Sequence, residues 1–154
     1  MKFTILYGTE SGNSELIAED LGDHLRTEHD DVIVQDLQHT NPAEITADRL
    51  VLVVCSTHGA GDLPNSAEPF ARAFDADPPE LTGVRYAMFG LGDRFYEETY
   101  SQGSEHIDRR FAAQGAERIG PYGRHDASSW DVPSDTALEW LPEVLAAATA
   151  DANA

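Results

Sequence analysis

Cysteine is almost missing from this chain: Cys55 is the sole one, which excludes an internal disulfide and any zinc cage built from cysteines. Positive charge is nearly as scarce. Ten Lys plus Arg stand against 28 Asp plus Glu, a formal −18, and Lys2 is the only lysine. Gripping a phosphate backbone requires lysine and arginine to release counterions, so nucleic acid and anionic membranes are excluded as partners. Long hydrophobic runs are absent too. The longest, Leu50–Cys55, falls far short of the roughly 20 residues that span a bilayer. Met1-Lys2 passes straight into Phe3-Thr4-Ile5-Leu6-Tyr7 without the charged leader, apolar stretch and cleavage site of a signal peptide, so the cytoplasm is the expected compartment. Repeats and low-complexity blocks are also lacking, apart from an Ala-rich end at 146–154.

What is present fits one globular domain. The chain has 154 residues, 41% of them hydrophobic, enough for a single core and too few for two. The expected domain spans 1–148, with 149–154 as a disordered tail. The acids are dispersed among periodic segments rather than gathered in a tail. A dispersed acid excess with one lysine points to life in molar salt, where the screening length falls to about 3 Å and self-repulsion is muted.

Strand and helix patterns alternate along the chain. Lys2–Tyr7 is a β-prone run ending at Gly8. From Asn13 to about Glu28, Leu16, Ile17, Leu21 and Leu25 fall at helical spacing. Asp31–Leu37 reads as a second strand, and Arg49–Cys55 as a third, apolar enough for burial on both faces. A short helix is expected at Pro69–Phe74, a fourth strand at Val84–Phe89 and a helix at Gly103–Gly115, its closing glycine suited to a left-handed cap. Ala116–Gly120 gives a short fifth strand. The last helix, Pro133–Ala148, has Ser134 as its expected N-cap and Pro142 as a kink or break. Five strands interleaved with four or five helices predict an α/β fold with a doubly wound parallel sheet. In such sheets the ligand crevice lies beyond the carboxyl ends of the strands, where the strand order reverses.

The loops that reach that crevice carry the chemistry. The first, Thr9-Glu10-Ser11-Gly12-Asn13-Ser14, opens directly into a helix and combines hydroxyls, an amide, a glycine and unpaired helix N–H groups. It holds no Lys or Arg. It suits either a phosphate held by neutral groups or a polar turn with a good cap. The second, Ser56-Thr57-His58-Gly59-Ala60-Gly61-Asp62-Leu63-Pro64-Asn65, has two close glycines that let a flat ligand approach the main chain, or that simply make a turn. The third, Gly90-Leu91-Gly92-Asp93-Arg94-Phe95-Tyr96-Glu97-Glu98-Thr99-Tyr100, has three aromatics. Phe95 and Tyr100 either pack beneath the loop or clasp a planar ligand, and Tyr96 is the better ring for a ligand face.

Other uses of the same architecture are not supported. A phosphoacceptor receiver needs an Asp after strand three, an acidic pair after strand one and a Lys after strand five; the chain has Cys55-Ser56, Gly8-Thr9 and no such lysine. A cysteine phosphatase needs an Arg six residues beyond Cys55. A dinucleotide fold needs Gly-x-Gly-x-x-Gly after strand one, which Gly8-Thr9-Glu10-Ser11-Gly12 does not supply. Cys55 reads as a small buried strand residue. Histidines 24, 29, 39, 106 and 125 have no ligand spacing, so no metal is expected.

Thr9-x-Ser11-Gly12-Asn13-Ser14, then Ser56-Thr57-x-Gly59-x-Gly61, then Gly90-Leu91-Gly92-Asp93-x-x-Tyr96 resemble, in that order, the flavodoxin family. The chain is especially similar to MioC-type flavodoxins and to the FMN domains of diflavin reductases, along its whole length to Trp140-Leu141. The resemblance implies a five-stranded sheet of order 2-1-3-4-5 between two helix layers, and an FMN site. Thr9, Glu10, Ser11, Gly12, Asn13 and Ser14 would bind the 5′-phosphate. Ser56, Thr57, His58, Gly59, Ala60 and Gly61 would follow the isoalloxazine edge, with the Gly59 peptide able to turn and accept a hydrogen bond from N5. Gly90, Leu91, Gly92, Asp93, Phe95, Tyr96 and Tyr100 would wrap the ring, Tyr96 on its outer face. Three features depart from the family's pattern. His58 stands where diflavin domains place an aromatic, Glu97-Glu98-Thr99-Tyr100 replaces the MioC-type pair after the tyrosine, and Gly120–Asp131 carries Pro121, Gly123, Ser128 and Ser129 where strand might continue.

The function implied is a low-potential, one-electron carrier between a reductase and an acceptor protein, a monomer docking basic redox partners through an acidic rim. The alternative is an FMN-dependent reductase of a small molecule such as a quinone, for which the short chain leaves no spare segment. The flavin supplies the chemistry and the protein tunes it. Asp62, Asp93, Glu97 and Glu98 near the ring would lower its potential by about 35 mV per charge, for ~10 Å and an effective dielectric of ~40. Molar salt would raise it again, and a protonated His58 would favour the reduced anion.

Overall fold

A computed structural model describes residues 1–9, 12–57, 62–92, 102–126 and 132–152. Strands β1 (Lys2–Gly8), β2 (Asp31–Asp36), β3 (Leu50–Ser56), β4 (Arg85–Gly92), β5 (Glu117–Arg118) and β6 (Gly123–Asp126) form one sheet. Helices α1 (Asn13–Arg26), α2 (Glu68–Ala76), α3 (Gln102–Ala113) and α4 (Pro133–Ala152) flank it. The order is β2-β1-β3-β4-β5, with β6 also paired to β4, and every pairing is parallel. The fifth position of the sheet is thus filled by two short strands in tandem. The α/β sheet is the one the sequence pattern predicts, and its order 2-1-3-4-5 is the one the family resemblance implies.

Side-chain alternation divides the core in two. Phe3, Ile5 and Tyr7 of β1, Leu50, Leu52 and Val54 of β3, and Ala87, Phe89 and Leu91 of β4 face α1 and α4. Leu6, Val51, Val53, Cys55, Tyr86 and Met88 face α2 and α3. The central strand β3 is buried on both sides through Cys55, as its unbroken apolar run requires. On the α2–α3 side Phe70, Phe74, Phe111 and Tyr86 pack ring to ring, and the Tyr86 hydroxyl donates to Asp108 Oδ1 at 2.6 Å.

The break between β5 and β6 is pinned from both faces. Trp140 Nε1 of α4 donates to Pro121 O at 2.8 Å, and the Tyr122 hydroxyl bonds Ser104 of α3. Gly123 lets β6 resume, since a Cβ there would lie 2.5 Å from Phe89 Cδ2 and 2.7 Å from Trp140 Cδ1.

Several sequence expectations are corrected. Leu16 points outward, 60% exposed, because the buried stripe of α1 runs through Ser14, Ile17, Ala18, Leu21 and Leu25 and Leu16 falls outside it. Strand β4 runs on to Gly92, so Gly90, Leu91 and Gly92 are strand and not loop. Ser134 is not an N-cap: it lies inside α4 and its hydroxyl donates to Asp20 of α1. Pro142 does not break α4, which continues past Ala148 to Ala152 through alanines that favour helix. Gly115, at φ +96°, is the left-handed residue expected after α3.

Candidate functional site

The strand order reverses between β1 and β3, and their ends lie level with β4: Gly8 is in register with Cys55, Cys55 with Gly90, and Ser56 with Leu91. Gly8 leaves little room at the end of β1. A Cβ on it would meet Ala67 Cβ at 3.0 Å, Cys55 Sγ at 3.1 Å and Leu37 Cδ1 at 3.2 Å.

Thr9 is held on three sides. Its N–H donates to Ser66 Oγ at 2.8 Å, its carbonyl accepts from the Ser66 N–H at 3.3 Å, and its hydroxyl accepts from the Gly12 N–H at 2.7 Å. Gly12 then turns the chain with φ +92°, a conformation only glycine adopts cheaply, and α1 begins with no side-chain cap. The first helical bond is Leu16 N–H to the Gly12 carbonyl at 3.1 Å, which leaves the N–H groups of Asn13, Ser14 and Glu15 without helical acceptors. A Cβ on Gly12 would meet nothing within 4 Å. Among the described residues Ser14 Oγ is the one buried side-chain oxygen or nitrogen without a hydrogen-bond partner. Buried hydroxyls are normally satisfied, and an orphan costs about 1–3 kcal/mol.

A buried unsatisfied hydroxyl, uncapped helix amides, the positive end of the α1 dipole and an open space beside Gly12 together suit a phosphate. No cation is needed: a hydroxyl and backbone N–H groups supply donors. The residues present fit a nucleotide phosphate at this point.

The second loop begins with both hydroxyls engaged. Ser56 Oγ donates to the Gly8 carbonyl at 3.2 Å, and Thr57 Oγ1 accepts from the Gly103 N–H at 3.0 Å. These side chains tie the end of β3 to β1 and to the start of α3. The Leu91 side chain, expected around the ring, is instead in the α1–α4 core. Beside it in register stands His125 of β6, 5% exposed.

Of the expected site residues, Thr9, Gly12, Asn13, Ser14, Ser56, Thr57, Gly90, Leu91 and Gly92 are brought to this one edge. Glu10, Ser11, His58, Gly59, Ala60, Gly61, Asp93, Phe95, Tyr96 and Tyr100 lie outside the described residues. Sequence reading missed the supporting roles of Ser66 and Gly103. Only Gly103, a glycine at the second residue of a helix, carries a local signal.

The electrostatics are those of an acidic site. Burial raises the Tyr7 phenol above its ordinary value, and the Glu15, Asp36 and Glu19 carboxylates add to it. Burial alone pushes the Cys55 thiol far up, so it stays neutral and is a core residue, not a nucleophile.

A helix start that fits a phosphate, set at the switch point of a parallel sheet of order 2-1-3-4-5, is the arrangement of a flavodoxin-like protein. The family model described as flavodoxin matches residues 5–140, and the chain belongs to the flavodoxin family. It is 31% identical over 138 residues to Protein MioC of Escherichia coli O157:H7, covering 90% of this chain and 92% of that one. It is 36% identical over 143 residues to the mitochondrial pyruvate dehydrogenase [NADP(+)] of Euglena gracilis, but spans only 8% of that protein's length. A variant of flavodoxin from Pseudomonas aeruginosa superposes with a TM-score of 0.81 at 32% identity, over 96% of this chain and 98% of that one. The family binds FMN.

Proposed function

We propose that this protein binds FMN and carries single electrons between a reductase and an acceptor protein, with its 5′-phosphate site at Thr9–Ser14 and its ring between the loops after β3 and β4. The observation that carries this reading is the buried, unpartnered Ser14 hydroxyl in an uncapped helix start, flanked by no cation. FMN supplies the one-electron chemistry. The chain's own residues do the rest. Ser14 and the first amides of α1 would donate hydrogen bonds to the phosphate, Gly12 would give it room, and Ser66 holds Thr9 in place. Thr57 and Gly103 tie the end of β3 to the start of α3.

Partners are redox proteins with basic contact surfaces, met by an acidic rim, and the protein works as a monomer in the cytoplasm. Adaptation to high salt accounts for the dispersed acid excess. The experiment is a reduction assay on FMN-loaded protein. NADPH alone leaves the flavin oxidised, and a catalytic amount of an NADP-dependent flavoprotein reductase lets it pass electrons to cytochrome c. Rapid NADPH oxidation without added reductase would overturn the carrier reading in favour of a small-molecule reductase.

A further inference from the structure

The negative charge is unequally shared between the two helix layers. Helices α1 and α4, on one face of the sheet, carry eight acids and one arginine, a formal −7. Helices α2 and α3, on the other, carry four acids and three arginines, a formal −1. The single base of the first pair, Arg26, is spent at the far end of α1 on the Val32 carbonyl at 3.2 Å and on Asp23 at 3.4 Å. The second pair presents Arg109, exposed and, among the described residues, bonded to His106 Nδ1 at 3.1 Å.

A second observation falls on the acidic face. Among the described residues only four large hydrophobic side chains are exposed: Met1, Leu16, Ile33 and Val132. Leu16 stands in the first turn of α1, 60% exposed, and Val132 immediately precedes α4, 56% exposed. Both therefore lie at the cofactor end of their helices. The two helix starts are tied together by the Ser134 hydroxyl donating to Asp20, one helical turn beyond Leu16. Around the pair stand Glu15 and Glu19 of α1 and Asp135 and Glu139 of α4, all exposed. An apolar centre with a ring of one sign is the usual anatomy of a transient docking patch.

We infer that redox partners dock off-centre, on the α1–α4 side of the cofactor edge, with Leu16 and Val132 as the apolar contacts and the carboxylates of α1 and α4 as the guiding rim. The partner that fits is a protein with a basic surface around an apolar spot at its own redox centre. The arginine-bearing α3 side is turned away during approach, because the charge difference between the two faces orients the encounter. This inference rests on the electron-carrier reading and adds the face at which the carrier is met.

The test uses 15N-labelled, FMN-loaded protein titrated with cytochrome c, a basic one-electron protein, after FMN uptake has been checked. Amide shifts are expected to centre on Leu16, Glu19, Val132 and Asp135. Replacing both aliphatics, Leu16→Ser with Val132→Ser, should weaken cytochrome c binding about fivefold to tenfold. The effect should persist in 0.5 M KCl and leave FMN affinity unchanged. Arg109→Ser on the opposite face should leave cytochrome c binding within twofold of wild type. Shifts centred on Arg72 and Arg109, or wild-type binding by the double variant, would overturn the docking face while leaving the carrier reading intact. Failure to take up FMN would instead sink the carrier reading.

Discussion

Gly103 and Thr57 touch without space for a methyl group between them: a Cβ on Gly103 would lie 2.6 Å from Thr57 Cα and 2.4 Å from the Ser56 carbonyl oxygen. The Gly103 N–H donates to Thr57 Oγ1 at 3.0 Å across 46 residues of sequence, so the end of β3 and the start of α3 are one unit. Gly103→Ala must push the two apart. The overlap is with backbone, which yields poorly, and the expected cost is about 1–3 kcal/mol of stability. FMN affinity should fall at the same time, because the loops that start at Thr57 and end at Gln102 are displaced. Urea unfolding and an FMN titration of the same variant check both. Wild-type affinity in a destabilised protein would show that this contact serves the fold alone.

Ser14→Ala separates binding from stability in the opposite sense. The hydroxyl is buried without a partner in the apoprotein, so removing it should leave apoprotein stability unchanged or raise it by up to about 1 kcal/mol. A hydrogen bond to a phosphate oxygen is charge-assisted, and its loss should weaken FMN binding about tenfold or more. Fluorescence titration and thermal unfolding of apoprotein decide it. A variant with lower apoprotein stability and unaltered FMN affinity would mean that the hydroxyl has a role in packing.

These two positions also show what the sequence discloses. The start of α1 was legible because its parts are contiguous: Gly12, Asn13 and Ser14 stand next to one another before a helical repeat, and helix-start physics needs nothing from elsewhere. Its support was not. Ser66 holds Thr9 from 57 residues away, and Ser66 carries no mark of that duty. The doubly wound parallel sheet followed from alternating strand and helix patterns and its order from the family resemblance, yet β6 followed from neither. Gly-Arg-His-Asp has little strand propensity, and becomes strand because β4 runs three residues beyond Phe89 and offers it a ladder. Glycines at 90 and 92 made that extension read as loop. Leu16 fitted the helical period of α1, but period alone does not say where the buried stripe ends.

Acid should weaken one tertiary ion pair in a defined window. Arg110 grips Asp75 with two bonds of 2.9 Å, and this hydrogen-bonded guanidinium holds the Asp75 carboxyl below its ordinary value. A folded-state pKa below the unfolded one means the unfolded chain binds more protons. The pair's contribution is therefore complete above about pH 4, the unfolded value, and is lost as the pH falls through the depressed folded value. Asp75 is more than half exposed, so the pair contributes on the order of 0.5 kcal/mol after solvent screening. Arg110→Gln should lose that much at pH 7 and close the gap with wild type as the pH falls through the depressed Asp75 value. A stability difference that does not change with pH would contradict the assignment.

Salt should stabilise the fold. A formal −18 on 154 residues repels itself, and the repulsion is screened within about 3 Å in molar salt. The thermal midpoint of the apoprotein is expected to climb steadily as KCl is raised from dilute buffer to molar concentrations. A midpoint independent of KCl would remove high-salt adaptation as the explanation of the acid excess.

The most direct measurement of the central claim is a titration of colourless apoprotein with FMN in concentrated KCl, followed by flavin fluorescence and visible absorption. Binding at one FMN per chain, with quenched fluorescence and a shifted yellow spectrum, and with riboflavin bound far more weakly for want of a phosphate, is the predicted result. Unquenched FMN, or riboflavin bound as tightly as FMN, would contradict a phosphate held by Ser14 and the first amides of α1.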